Sequence, residues 1–403
     1  DEEHIVKFDQ LVVQDNGGRL EPVNTLCSEF LRKVYGKSTY KDLSSTQVVL
    51  GMMHDPVSWN TENIIKVSNA QLRSILGDQD LKSRYLRTSF NNFFDSNGAY
   101  ILSKLVEEAY ATLPAKRSEF EKDVIKVDER VNICFAIFNG GLFRFFPLVD
   151  DQNNTWFTYK EHYKFSGNDS LFVANIIPMY FQSLQEGMDS GDWSRSDSVV
   201  NYISKFQSKY GKEVMPPKSN INLELLYNEL NVFSNLFIFY FSSGFILLIL
   251  VLIGLFHSNK LLHTMINLFK WLIIIGFLIH SAGLIVRWII SDHAPWSNGY
   301  ESMIYIAWAT VASGLVFSRR SLLTLSATAI VSALILMVAH LNWLDPEITN
   351  LVPVLKSYWL MIHVAIITSS YGFLALGAVL GIINLISLIF SISRKNIMRL
   401  TYI

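Results

Sequence analysis

Four histidines stand within or beside long apolar runs in the second half of the sequence, where ionisable side chains are scarce. They are His280 in "GFLIHSAGLIVRW", His293 in "SDHAPWSNGYES", His340 in "LMVAHLNWLDPE" and His363 in "SYWLMIHVAIITSSYG". An ionisable group inside a membrane is costly, so each is a candidate functional residue. Neutral imidazole is the usual axial ligand of haem iron, and a helix bundle can hold a porphyrin. The structural alternative for each residue is a neutral imidazole that hydrogen bonds to a neighbouring helix.

Arg287 is the one cation near the end of the second long apolar run. Its guanidinium has two plausible uses at that depth. It can extend to the lipid headgroups, or it can bind an anion such as a haem propionate.

The short loop after this run collects polar and aromatic residues. Asn298 and Gly299 predict a tight reversal between two helices. Trp296 and Tyr300 belong at a membrane interface and are candidates to cover a flat porphyrin edge. Glu301 is expected either to cap the next helix, where a carboxylate meets the positive helix end, or to line a haem chamber with the rest of the loop.

Composition divides the chain into two parts. Of 403 residues, 50% are hydrophobic and 17% are charged, whereas soluble domains carry about 25% charged residues. The deficit begins after Asn231, which predicts a first domain at residues 1–230 and a membrane domain at 231–403. The net charge of −1 gives no indication of nucleic-acid binding.

The predicted fold class is mainly α: a polytopic membrane helix bundle preceded by a mostly helical extracytoplasmic domain. A bilayer-spanning helix needs about 20 apolar residues. About five runs meet this requirement, at 233–256, 268–290, 303–317, 322–340 and 358–392. Residues 261–270 form either an amphipathic surface helix or an early start to the second span.

The distribution of Lys and Arg predicts the orientation of the spans, because cytoplasmic loops are enriched in both. One side of the bundle carries Lys260, Arg319, Arg320, Arg394, Lys395 and Arg399. The opposite side has only Lys356 in its loops, and a belt of Trp288, Trp296, Trp343 and Trp359. Residues 1–230 and loops 291–302 and 341–357 are therefore expected outside the cytoplasm.

The two cysteines limit the possible chemistry. Cys27 and Cys134 can form a disulfide or remain two buried thiols, and the sequence spacing does not decide between them. The sequence contains no CxxC or CxxCH motif, which excludes a dithiol oxidoreductase and a c-type cytochrome. No signal peptide opens the chain, and its start is expected to be the interior of a longer protein.

Two long strings resemble the CcsA/ResC family of System II cytochrome c biogenesis proteins. They are "HAPWSNGYESMIYIAWA" and "HLNWLDPEITNLVPVLKSYWLMIHVAIITSSYGFLALG". The pattern L-x-P-V-L-K-S-x-W-L-x-x-H-V with a downstream S-Y-G is long and specific. The stretch "VKFDQLVVQDNGGRLEPVNTL" is similar to the extracytoplasmic segment that precedes CcsA in fused CcsBA proteins. The resemblance covers the membrane half well and the first half more loosely.

The resemblance implies a role in haem handling at the bacterial inner membrane, with the N-terminal domain on the periplasmic side. The family carries haem b to the outer face and presents it to apocytochrome c, whose CxxCH thiols add to the vinyl groups. His363 matches the first of two outer histidines that ligate the haem iron. Asp345 and Glu347 are candidates to dock a basic apocytochrome.

The sequence departs from the family pattern because it lacks the N-terminal CcsB spans and the C-terminal WWD segment. The resemblance therefore implies one part of a cytochrome c synthase, or haem lyase, whose remaining parts lie on the same protein or on a partner subunit. Two other functions stay open from the residues alone. They are a membrane transporter of another small ligand and a structural membrane subunit of an electron-transfer complex.

Overall fold

The computed structural model describes residues 2–77, 85–148, 151–254, 256–257, 259–318, 321–341, 344–351 and 356–389. The chain forms two compact units, residues 1–225 and residues 226–403. We call them the N-terminal unit and the membrane unit. The division lies five residues before the boundary at 230 that composition suggests.

The N-terminal unit consists of helices and short hairpins. Its helices are α1 (Glu2–Asp9), α2 (Val23–Tyr35), α3 (Ser45–His54), α4 (Pro56–Trp59), α5 (Ala70–Ile75), α6 (Ser103–Ala111), α7 (Glu119–Phe138), α8 (Gly167–Ser190), α9 (Ser194–Tyr210) and the first part of α10 (Lys218–Leu230). Its antiparallel hairpins pair β1 (Val12–Gln14) with β2 (Leu20–Pro22), β3 (Thr39–Tyr40) with β4 (Leu43–Ser44), β5 (Ile65–Val67) with β6 (Leu86–Thr88), and β7 (Phe146–Pro147) with β8 (Trp156–Phe157). Short 3₁₀ turns lie at Phe90–Phe93, Pro114–Lys116 and Tyr159–Lys164.

Local sequence signals explain where these helices begin and end. Ser118 starts α7 with a capping box, in which its hydroxyl accepts from the Glu121 backbone N–H and the Glu121 carboxylate accepts from the Ser118 N–H. Gly36 ends α2 in the left-handed conformation at φ 88°, which favours glycine. The apolar stretch around residues 131–148 is not a span, because α7 ends at Phe138 and buries Val131 in the N-terminal core.

Both cysteines lie in that core as free thiols, so the disulfide alternative is wrong. Cys27 and Cys134 are fully buried among apolar side chains. Burial raises the pKa of the Cys134 thiol to about 12. Both residues therefore act as small core side chains and not as reactive thiols.

The membrane unit contains the helices that are long and apolar enough to cross a bilayer. They are α11 (Val232–Gly254), α12 (Lys260–Ser291), α13 (Gly299–Phe317), α14 (Leu322–His340) and α15 (Tyr358–Ile389). The prediction of a mainly α polytopic bundle with about five spans is confirmed. Residues 261–270 continue into the second span as one helix, so of the two alternatives for this segment the early start is correct.

Small residues set the close packing of three of these helices. Thr328 of α14 contacts Gly314 of α13, and the Ser332 hydroxyl donates to the Ala307 carbonyl at 3.0 Å. These pairs show that α13 and α14 run antiparallel. On the other side of α13, the backbone of α15 approaches closely at Gly372, where an added Cβ would lie 2.7 Å from the Thr310 nitrogen.

Several residues used for the orientation lie outside the described residues. They are Arg319, Arg320, Trp343, Arg394, Lys395 and Arg399. Residues 352–355 of the family-like motif and the end of the predicted fifth span also lie outside. The orientation therefore stays a prediction.

A cluster of buried charged side chains lies in the N-terminal unit. Arg19 pairs with Glu21 and makes two hydrogen bonds of 2.7 Å to the Glu224 carboxylate. Glu21 is 1% exposed, and its second carboxylate oxygen has no partner among the described residues. Burial raises the pKa of Glu21 well above its ordinary value, and the negative charge of Glu29 raises it further, although Arg19 opposes the shift. The folded chain therefore holds the proton of Glu21 more tightly than the unfolded chain does.

The close approach at Gly372 predicts opposite effects for two glycines of α15. Alanine favours a helix over glycine by about 1 kcal/mol, and nothing lies within 4 Å of a Cβ at Gly377. Gly377→Ala should therefore raise the midpoint of thermal unfolding in detergent, followed by circular dichroism. Gly372→Ala should lower it, because its Cβ forces α13 and α15 apart. Equal stabilisation by both variants would show that the helices do not touch at Gly372.

The raised pKa of Glu21 predicts that Glu21→Gln stabilises the folded chain, by an amount that depends on pH. Between the ordinary carboxyl pKa and the raised value, the unfolded chain loses this proton and the folded chain keeps it, so stability falls as pH rises. Each unit of pKa elevation corresponds to about 1.4 kcal/mol. The variant should unfold at a higher temperature than the parent at pH 8, with a smaller difference at pH 5, as measured by near-UV circular dichroism.

Glu62→Gln is the matched control for this measurement. The Tyr40 hydroxyl donates to the Glu62 carboxylate and lowers the pKa of Glu62, so that loss of this charge should not stabilise the fold. If Glu21→Gln raised the unfolding temperature equally at both pH values, the buried Glu21 charge would not be the cause of the stabilisation. A similar rise in Glu62→Gln would contradict that cause as well.

Candidate functional site

Arg287 lies near the end of α12 and is buried, with 1% of its surface exposed. Its Nε donates to Glu301 Oε1 at 2.9 Å, and Nη1 donates to the Tyr227 hydroxyl at 3.3 Å and the Pro346 carbonyl at 3.0 Å. Nη2 donates to the Glu347 carbonyl at 3.1 Å. The prediction that Arg287 reaches the lipid headgroups is wrong, because protein groups enclose the side chain.

Glu301 supplies the charge that Arg287 needs, and it also organises the start of α13. Its side chain is fully buried. Oε2 accepts from the Ser297 backbone N–H at 2.9 Å and from the Ser297 hydroxyl at 2.8 Å. The Asn298 side chain caps the helix by accepting from the Glu301 N–H at 2.8 Å. Asn298 is therefore the cap of α13, and the Glu301 carboxylate in the first turn pairs with Arg287 and binds the preceding Ser297.

His293 ties the same loop to the segment that follows α14. Its ring is 8% exposed. Nε2 lies 3.0 Å from the Thr349 carbonyl, so this nitrogen is the donor, and Nδ1 lies 2.9 Å from the Ser297 hydroxyl. Protein groups therefore surround the ring, and the role of His293 as a haem ligand stays a prediction.

We call the end of the bundle that carries residues 292–298 and 344–351 the loop end. Aromatic rings pack there. The Tyr300 ring centroid lies 5.2 Å from the Arg287 guanidinium carbon. Trp296 lies 5.8 Å from Trp288 and 4.8 Å from Tyr305, measured between ring centroids. The buried Trp296 indole N–H has no acceptor among the described residues.

His280 lies deeper in α12 and is fully buried. Its Nε2 donates to the Ile304 carbonyl at 3.0 Å, and Nδ1 lies 3.5 Å from the Tyr240 hydroxyl. Phe233 packs edge-on against the ring. The structural alternative for this histidine is therefore correct, and the prediction that His280 contacts haem does not fit its enclosed position.

His340 ends α14 at the loop end and faces α11. Its ring is exposed, with Nδ1 3.0 Å from the Ser234 hydroxyl. It stacks on Phe237 at a centroid distance of 6.3 Å. One ring nitrogen therefore has a protein partner.

His363 differs from the other three candidates in its surroundings. It lies in the second turn of α15 and its side chain is exposed. Within the described part of the chain, no hydrogen bond or ring contact engages its imidazole. Both nitrogens are therefore available to an external ligand.

Helix register places His363 at the same depth as the Arg287–Glu301 pair. The Tyr305 side chain lies near Ser369, and Gly372 meets Thr310, so α13 and α15 run in the same direction. The residues that meet in these two contacts are 64 and 62 positions apart in the sequence. Carried about 13 Å further along both helices, the same offset puts His363 at the depth of residues 299–301.

The structure brings some predicted residues together and leaves others apart. Arg287, Tyr300, Trp296 and His293 gather around Glu301 at the loop end. The four histidines do not form one cluster. Within the described ranges, no group of three or more His, Cys, Asp or Glu side chains has a metal-binding arrangement.

The sequence analysis missed the Arg287–Glu301 ion pair and its link to Tyr227. A signal for the pair was present, because a lone Arg and a lone Glu at the ends of consecutive apolar helices need compensating charges. The Pro346 and Glu347 carbonyls have no such signal, since every residue carries a backbone carbonyl.

Comparison with known proteins finds relatives over most of the chain. Residues 296–400 match the family model described as cytochrome C assembly protein. Protein NrfI of Wolinella succinogenes is 40% identical over 375 residues, which cover 93% of this chain and 41% of that protein. CcsA of Prochlorococcus marinus is 35% identical over 108 residues, or 26% of this chain and 34% of that protein.

A plant relative gives a similar match. CcsA of Lobularia maritima is 38% identical over 118 residues, or 28% of this chain and 36% of that protein. The chain spans less than half the length of each of these relatives. The family-model match at residues 296–400 includes the motif around His363. The membrane unit is therefore similar to cytochrome c assembly proteins of the CcsA type.

Proposed function

We propose that this chain is the CcsA-type part of a protein that handles haem b for cytochrome c maturation. It presents haem at the outer face of a bacterial inner membrane, where haem becomes linked by thioether bonds to the CxxCH segment of apocytochrome c. The match of residues 296–400 to cytochrome c assembly proteins and the 40% identity to NrfI over most of the chain support this assignment. The complete protein would act as a cytochrome c synthase.

One observation carries the assignment of the site: His363 keeps its imidazole exposed and without a protein partner in the described residues. His280 and His293 are buried, at 0% and 8% exposed, and the Nδ1 nitrogen of His340 faces a serine hydroxyl. Iron binds an imidazole nitrogen that has a free lone pair. His363 therefore fits the first axial ligand of haem better than the other three histidines.

The residues around His363 fit a flat, largely apolar substrate. Tyr358 and Trp359, one turn earlier in α15, are 65% and 77% exposed and offer aromatic surface. Haem itself supplies the iron and the vinyl groups that accept the cysteine thiols. The task of this chain is to bind and orient: His363 holds the substrate from one side and fixes the direction in which its edge points. Trp296 and Tyr300 remain candidates for covering that edge.

The orientation completes the proposal. The excess of Lys and Arg on one side of the bundle supports a cytoplasmic location for that side and a periplasmic location for the N-terminal unit. The second axial ligand, the CcsB spans and the WWD segment would come from the rest of the protein or from a partner subunit. Asp345 and Glu347 stay candidates for contact with a basic apocytochrome.

The central test is His363→Ala in the full-length protein. We expect loss of the Soret band from the purified protein and loss of holocytochrome c in a host without its own maturation pathway. Added imidazole should restore part of both signals, because it fills the vacant position on the iron. Soret absorbance and covalent haem staining measure the two outcomes.

His257→Ala is the matched control, since His257 is also exposed but lies between α11 and α12, outside the proposed site. It should retain both signals. A normal Soret band in His363→Ala would show that His363 is not the ligand. Absence of haem from the parent protein would favour a transporter of another ligand or a structural subunit.

A further inference from the structure

We propose that Arg287 and Glu301 are positioning residues for haem presentation. They fix the 344–349 segment and the start of α13 to α12 at the depth of His363. This inference rests on the proposed function. It assigns to the pair a role in holding the outer site in shape, with no contact to haem required.

The Arg287 guanidinium is almost fully used by protein acceptors. Four of its five N–H groups are already donated, to Glu301, Tyr227 and the Pro346 and Glu347 carbonyls. One N–H remains for any further acceptor, so a propionate clamp by Arg287 finds no support in this geometry. Arg287 instead joins three separate parts of the membrane unit.

The buried Arg287–Glu301 pair has an energetic cost. Removing two charges from water is unfavourable, and a well-packed apolar pair often holds a fold as well as a buried ion pair does. The carbonyl contacts are different, because no apolar side chain can donate to them. A segment without helix or strand hydrogen bonds needs such donors to keep one backbone position. The Arg287 fork therefore gives residues 346–347 a defined place that packing alone does not supply.

Further contacts show that this segment is fixed at several points. His293 donates to the Thr349 carbonyl at 3.0 Å, two residues after the Arg287 contacts. Ile348 is 5% exposed, and a Cβ added at Gly299 would lie 3.2 Å from the Leu344 side chain. The segment is thus held by donors from α12 and from the following loop, and by packing against α13.

The ion pair and His363 lie at the same depth in the bundle. The register of α13 and α15 places His363 at the depth of residues 299–301, which include the aromatic ring over Arg287 and the carboxylate that pairs with it. The fixed segment and the exposed imidazole therefore lie at one level of the bundle. A shift of about 1 Å in such a site can lower a reaction rate on the order of a hundredfold.

The decisive variant is Arg287→Met combined with Glu301→Leu in the full-length protein. Removing both charges avoids leaving one buried charge without its partner. We expect the protein to accumulate in membranes and to retain haem through His363. The holocytochrome yield per molecule should fall on the order of tenfold or more, with a shifted Soret maximum or reduction potential.

Arg287→Lys is the second variant, since it keeps the charge but lacks the fork that reaches both carbonyls. It should also lower the yield per molecule and alter the haem spectrum. Ser281→Ala is the control, because it removes the hydrogen bond from the Trp308 indole between the same two helices, below the proposed site. It should leave the yield and the spectrum unchanged.

A normal yield and spectrum in either the double variant or Arg287→Lys would overturn the positioning role. Failure of both variants to accumulate would overturn it as well, because the pair would then be needed for folding alone. The proposed function fails by a separate result, namely haem retention in His363→Ala with an intact Arg287–Glu301 pair. The two hypotheses are therefore distinguishable.

Discussion

A charge that leaves water for an apolar helix bundle must find its compensation inside the protein, and the loop end is arranged around this constraint. Arg287 meets Glu301 at 2.9 Å, with both side chains almost fully buried. The remaining guanidinium donors use backbone carbonyls of a segment that has no regular structure of its own. One ion pair therefore fixes the end of α12, the start of α13 and the segment that leads towards α15.

The same requirement for partners separates the histidines. An imidazole buried between helices donates to whatever acceptor lies near it, as His280 does to the Ile304 carbonyl. His293 is engaged in the same way by Thr349. His363 lies on an exposed face, where the fold itself offers no such partner in the described residues. Availability for iron therefore follows from helix packing and not from residue type.

Sequence reasoning predicted the features that depend on composition and missed those that depend on register. The five spans follow from apolar runs of sufficient length, even for the short run at 303–317. The exposed face of α15 could not be predicted, because a helix that is apolar all round shows no periodicity. The hairpins of the N-terminal unit also escaped prediction, since strands such as Thr39–Tyr40 are too short to show alternation.

Register between helices also explains how residues far apart in sequence come to lie at one depth. The offset between α13 and α15 is set where Gly372 allows the two backbones to approach, about 13 Å from the candidate ligand. A larger residue there would separate the helices, and His363 would lose its fixed relation to Glu301. The Gly372 contact and the ion pair thus determine different parts of the geometry of the site. The glycine sets how α15 lies against α13, and Arg287 with Glu301 holds the loop end that surrounds it.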